Sequence, residues 1–196
     1  MSEFSAYLAL GFHHILDPHA YDHILFVIAL CAVYFSRDWR QVLVVVTAFT
    51  VGHSVTLALS AFEVFRFPPQ VIEILIPITI LCTAIANLFV RHQRSLLTDT
   101  NYRPRLRYAL ALFFGFIHGM GFSTYLRSLL PPDQPIVWRL LAFNLGIELG
   151  QLVVVCAVLF ISFIFVQFVK TERHDWSLFV SGMVAGVAFI LLYQQL

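Results

Sequence analysis

Long apolar runs separated by short polar turns dominate this chain. A helix needs about 20 mostly apolar residues to cross the hydrocarbon core of a bilayer. Six stretches approach that length, at about 21–36, 41–62, 70–90, 107–126, 137–168 and 176–195. The first is short unless it starts near Ala20, and the fifth is long enough to tilt or to extend beyond the bilayer. Residues 4–16 are apolar as well, but about 12 residues cannot cross. Asp17-Pro18 breaks them from the first span, so they read as a short helix lying on, or dipping into, the membrane surface. Phe67-Pro68-Pro69, Pro104 and Pro131-Pro132 mark three of the turns. The predicted fold is all-α: a polytopic membrane helix bundle of about six transmembrane helices with a short N-terminal surface or re-entrant helix. Residues 1–196 then form a single transmembrane domain. No internal repeat stands out, so an inverted-repeat transporter has no support at this level.

Composition agrees with that reading. Hydrophobic residues make up 60% and charged residues 12%, against about 25% charged in a soluble domain, so too few ionic groups remain to cover a water-facing surface. The formal net charge is +1, which offers no field for nucleic acid. Cys31, Cys82 and Cys156 are an odd set inside apolar runs and read as small hydrophobes, not as a disulfide framework. The Met1-Ser2-Glu3 start lacks the basic stretch of a signal peptide, so no cleaved leader is expected. Lys and Arg orient the spans. Arg37, Arg40, Arg91, Arg94, Arg103, Arg105, Arg107, Lys170 and Arg173 fall on one side and Arg66, Arg127 and Arg139 on the other. The richer side is expected in the cytoplasm, which puts both termini outside.

Ionisable groups inside spans cost roughly 2.5–3.5 kcal/mol each for Arg, Lys or Asp at the bilayer centre, so they read as functional. Here they are Asp22, His23, His53, Glu73, His118 and Glu148, with His14 just before the first span. Counted along their helices, all fall in the outer half. They sit on polar stripes: Thr50, His53 and Ser54; Asn144, Glu148 and Gln151; Gln70, Glu73 and Pro77, continuing to Asn87. Such stripes face a bundle interior. Gly115 and Gly119 bracket His118, Gly146 and Gly150 bracket Glu148, and Gly182 with Gly186 repeats the spacing, which lets neighbouring backbones approach. Four histidines and three carboxylates at compatible depth on several helices make a metal-ligand inventory, with Glu73, Asp22 and His23 nearer the outer surface than the rest. Imidazole with carboxylate suits zinc, nickel, cobalt, iron or manganese, with Ser54, Asn144 and Gln151 as supporting hydrogen-bond partners. Taken singly, each is an ordinary feature: an isolated intramembrane His is more often a packing residue, and Glu73 could snorkel to water. His13 and His19 are loop candidates, and His92 and His174 read as solvated.

Four ordered segments carry a family resemblance. Gly11-Phe12-His13-His14-Ile15-Leu16 with Tyr21-Asp22-His23-Ile24-Leu25-Phe26 resembles the opening of the HupE/UreJ family of bacterial membrane proteins. Phe49-Thr50-Val51-Gly52-His53-Ser54, Phe114-Gly115-Phe116-Ile117-His118-Gly119 and Phe143-Asn144-Leu145-Gly146-Ile147-Glu148 resemble that family's later signatures. The family's His-x5-Asp-His spacing is here His14-x7-Asp22-His23, so His14 or His19 could be the ligand. The resemblance implies a bacterial inner-membrane protein of nickel or cobalt supply, described in the family as a permease.

Two further functions fit the same residues. One is an intramembrane metal-dependent hydrolase acting on a lipid or membrane-bound peptide at the outer face. Three ligands would hold an ion with an activated water, Glu148 or Asp22 would be the catalytic base, and Ser54 or Ser123 would orient the substrate. No His-Glu-x-x-His motif supports it. The other is a passive metal sensor or docking subunit. The expected cofactor or cargo is a divalent ion (nickel, cobalt or zinc). The bilayer is the expected surrounding, and a membrane-protein partner or a second copy of the chain stays open.

Overall fold

The computed structural model describes residues 2–18, 21–62, 64, 68–90, 104–129 and 136–196. Expectations for His19, Arg66, His92, the arginines at 91, 94 and 103, and the Pro131-Pro132 turn fall outside these residues. The described residues form α1 (Glu3–Leu16), α2 (Asp22–Cys31), α3 (Trp39–Ala61), α4 (Pro69–Leu88), α5 (Pro104–Leu129), α6 (Ile136–Gln167) and α7 (Arg173–Gln194), with one 3-10 turn at Ser36–Asp38. The last five helices are long and apolar enough to cross a membrane, so the chain is a helical membrane bundle.

The first expected span is built differently. α2 has 10 residues, about 15 Å of helix, too little to cross alone. α1 packs along α6. Its Gly11 lies against the backbone of Phe143 and Ile147, while Gly146 lies against Leu8 and Phe12. The buried guanidinium of Arg139 on α6 donates to the Glu3 carboxylate at 3.1 and 3.2 Å. The order of these contacts makes α1 and α6 parallel. α1 opens on Ser2, whose hydroxyl accepts from Ser5 N–H at 3.3 Å, as a helix N-cap does. It stops because Pro18 forces Asp17 out of the helical region, to φ −68° and ψ 117°. α2 then resumes in the same sense. Its far end is tied to α4, where the Asn87 amide donates to the Ala29 carbonyl at 2.7 Å, beside the Ala32 N–H that the same oxygen accepts at 3.4 Å. Placed in series, the 14 and 10 residues of α1 and α2 extend about 36 Å.

Two other pairings complete the bundle. α3 and α5 run parallel in close contact, with Gly52 against Leu112 and Phe116, Gly115 against Phe49 and His53, and Gly119 against His53 and Thr56. α4 packs on α7. Pro69 starts α4, where a missing N–H costs nothing. Phe26, Phe49, Phe143, Leu57 and Ile147 form the fully buried centre.

Candidate metal centre

The break between α1 and α2 puts two helix ends at one level. α1 delivers His14 from its last turn and α2 delivers Asp22 and His23 from its first. The middles of α3 and α5, held together by their glycines, add His53 and His118. One ligand atom each from His14, His23 and His53 lie within 4.8 Å of one another, and so do those of Asp22, His23 and His118. Ring centroids separate His14 from His23 by 4.7 Å, His23 from His118 by 5.2 Å, His23 from His53 by 5.5 Å and His14 from His53 by 6.1 Å. His53 and His118 are fully buried, whereas the Asp22 side chain keeps 23% exposure.

Hydrogen bonds assign which nitrogens are left to bind. The Thr79 hydroxyl donates to the Ile76 carbonyl at 2.7 Å, so its oxygen accepts the Nε2 proton of His118 at 2.9 Å. His118 Nδ1 is then the basic atom. Asp22 Oδ1, at 3.1 Å, takes the Nδ1 proton of His23 and leaves Nε2 basic. Among the described residues, these two nitrogens have no hydrogen-bond partner, and neither do His14 Nε2 and both ring nitrogens of His53. A buried polar atom without a partner costs about 1–3 kcal/mol. Four rings carrying that cost at one place, with a carboxylate among them, form the donor set that a divalent cation satisfies.

Aromatic rings close the cluster on two sides. Phe122 and Phe143 stack at 5.2 Å and 7°, with the Phe122 ring 3.9 Å from that of His14. Opposite them, Phe26 packs 4.7 Å from both Phe49 and His118. These walls keep the dielectric low and strengthen any ion–ligand interaction.

The remaining candidates lie elsewhere. Glu73 is exposed near the start of α4 and belongs to neither ligand group. Glu148 accepts the Thr47 hydroxyl at 2.8 Å on the seam between α3 and α6. Gln151 Oε1 accepts from Thr50 on the same seam at 2.7 Å, and Asn144 Oδ1 has no partner among the described residues. Ser54 and Ser123 donate to carbonyls of their own helices, those of Thr50 and Met120, both at 2.7 Å. His13 is exposed.

Thr79 was not among the sequence candidates. Its signal was the i, i+4, i+8 row Thr79, Thr83 and Asn87, which is the polar row that α4 turns inward, whereas Gln70 and Glu73 face out. Outer partners of this kind typically contribute 10–100-fold to metal affinity. Thr79→Val, which keeps the shape and removes the acceptor, is expected to weaken Ni2+ binding by about that factor. Titration calorimetry of the purified protein checks it.

Comparison with curated proteins and with solved structures finds no match. The family model described as HupE / UreJ protein matches residues 1–195, essentially the whole chain. With all four motif segments inside that match, the chain belongs to the HupE/UreJ family.

Proposed function

We propose that this protein binds one divalent transition-metal ion, nickel or cobalt, through His14, His23, His53, His118 and Asp22 and carries it across the bacterial inner membrane. The supporting observation is the convergence of four histidines with buried, partnerless ring nitrogens at the break between α1 and α2. Interrupted helices commonly form the ion sites of secondary transporters, because the break frees backbone and side chains at the level where an ion must be held. The family's association with nickel supply selects nickel or cobalt from the ions that the imidazole-rich set suits. The arginine-rich loops then face the cytoplasm and both termini face out.

The hydrolase reading finds less support. It needs a base and room for a scissile bond beside the ion. Glu148 is engaged with Thr47, Asp22 is engaged with His23 at 3.1 Å, and the two aromatic walls occupy the space on either side of the rings.

Purified protein in liposomes loaded with a metal-sensing dye tests the proposal. Saturable uptake of Ni2+ or Co2+, lost in His53→Ala, is the expected result. Tightly bound metal without flux would remove the permease reading, and turnover of lipid lost on Glu148→Gln would replace it with the hydrolase.

A further inference from the structure

The chain carries a duplication that its sequence pattern hides. Adding 104 to positions in α1 takes Leu8, Gly11, Phe12 and His14 onto Leu112, Gly115, Phe116 and His118 of α5. Adding 94 to positions in α3 takes Phe49 and Gly52 onto Phe143 and Gly146 of α6. Under the first shift the buried row Ile72, Ile76, Ile80 and Ala84 of α4 falls on the buried row Trp176, Val180, Val184 and Ala188 of α7. α2, with 10 residues and standing only between α1 and α3, accounts for the change from 104 to 94, and the greater length of α6, 32 residues against 23 in α3, accounts for most of the return to 104 at α4.

Packing obeys the same correspondence. Gly11 meets the Phe143 carbonyl as Gly115 meets that of Phe49. Gly146 meets the Leu8 carbonyl and the Phe12 amide as Gly52 meets those of Leu112 and Phe116. Even the substituted pair conforms: Gly119 against Thr56 maps onto Ile15 against Gly150, so the glycine changes helix while the close approach persists. Exchanging the halves therefore turns the α1–α6 contact into the α5–α3 contact and leaves α4–α7 in place, which is the signature of a two-fold axis.

The repeats are inverted. α2 runs from His23 beside His118 to Phe26 beside Phe114, and Tyr34 beyond it lies under Arg107, so it opposes α5. α6 passes from Phe143 beside His14 to Ser162, whose hydroxyl accepts from the Trp176 indole. Trp176 packs with Ala32 and Phe35, just past the end of α2, so α6 runs with α2 and against α5. The axis consequently lies in the membrane plane. It exchanges His14 with His118 and passes through the histidine cluster, which puts the cluster nearer the midplane than the outer half expected from counting along the helices. It also exchanges Phe143 with Phe49, one from each aromatic wall. Phe122 stands one turn outward of His118, and Phe26 one turn inward of His23.

We propose that the chain is a pair of inverted three-helix repeats working by alternating access, with Phe122–Phe143 as the outer gate and Phe26–Phe49 as the inner gate of one shared ion site. The proposal rests on the permease reading above and specifies how the ion leaves. Inverted repeats generate two equivalent conformations by exchanging the shapes of the halves, with the ion site fixed at their interface. Here Phe26 and Phe49 are fully buried and the inner gate is shut, while Phe122 keeps partial exposure.

The test uses the full chain in right-side-out and inside-out membrane vesicles, preloaded with Ni2+ and exposed to a membrane-impermeant chelator. Phe122→Ala is expected to speed release to the outer face at least tenfold with little change at the inner face, and Phe49→Ala to do the reverse. Phe122→Leu and Phe49→Leu keep apolar volume and are expected to show the same sidedness at smaller amplitude, so an alanine variant that fails to fold does not decide the matter. Bound Ni2+ that escapes equally fast to both faces in every variant, or only ever to one face, overturns the gates and leaves the metal centre standing. A wild-type protein that holds no Ni2+ overturns both.

Discussion

His53→Ala is expected to lower Ni2+ affinity by more than about a hundredfold, beyond the range of an outer partner, because it removes one of the proposed ligands outright. His53 is fully buried, stands 5.5 Å from His23 and 6.1 Å from His14 by ring centroids, and has no hydrogen-bond partner on either ring nitrogen among the described residues. That last fact separates a ligand from a packing residue. A packing histidine replaced by alanine leaves a cavity and destabilises the protein whether or not metal is present. Here the alanine also removes two polar atoms, each carrying about 1–3 kcal/mol of unmet desolvation. That gain offsets the cavity in the metal-free protein. The metal-free unfolding midpoint in detergent is therefore expected to stay within a few degrees of wild type or to rise. The added stability of wild type in Ni2+, about 2.7 kcal/mol at a hundredfold excess over Kd, is expected to vanish in the variant at the same concentration. A metal-free protein that melts much earlier with Ni2+ stabilisation intact would make His53 structural.

The bundle was legible in the sequence because bilayer thickness imposes a length on apolar runs. The histidines were legible because an ionisable group in that setting needs a reason to be there. What the pattern concealed were relations between helices. Glu73 and His53 look alike as intramembrane ionisable residues, but Glu73 is exposed near the start of α4 and His53 is sealed between α1, α2 and α5. Burial at that level depends on which helices touch, and one chain's polarity does not encode it. The break at Asp17-Pro18 was readable, yet it suggested two separate elements, whereas α1 and α2 continue in one sense and leave their ends at the site. The duplication was hidden by the insertion of α2, which changes the shift partway through, and by inversion, which pairs each helix with one outside its own half.

The glycines show the same distinction, and they carry the largest expected effect on stability. Gly52→Ala is expected to destabilise the fold by about 3 kcal/mol or more, at or beyond the top of the usual range for overpacking. A Cβ at Gly52 would run into the carbonyl oxygen of Leu112 and come within 3.0 Å of the Phe116 amide nitrogen. Both are backbone atoms of a straight helix, so no side chain can rotate away. α3 and α5 would have to part by roughly an ångström to restore ordinary contact, and that displacement separates His53 from His118. A loss of Ni2+ affinity is therefore expected together with a lower unfolding midpoint. Gly182→Ala and Gly186→Ala are the controls. They have the same four-residue spacing, but a Cβ at either position meets nothing within 4 Å. Their expected change is neutral or a gain of about 0.5–1 kcal/mol from helix propensity. Melting curves in detergent, with and without Ni2+, check all three variants. If Gly52→Ala melts with the controls, the close approach that brings α3 and α5 to the histidine cluster is not a feature of the protein.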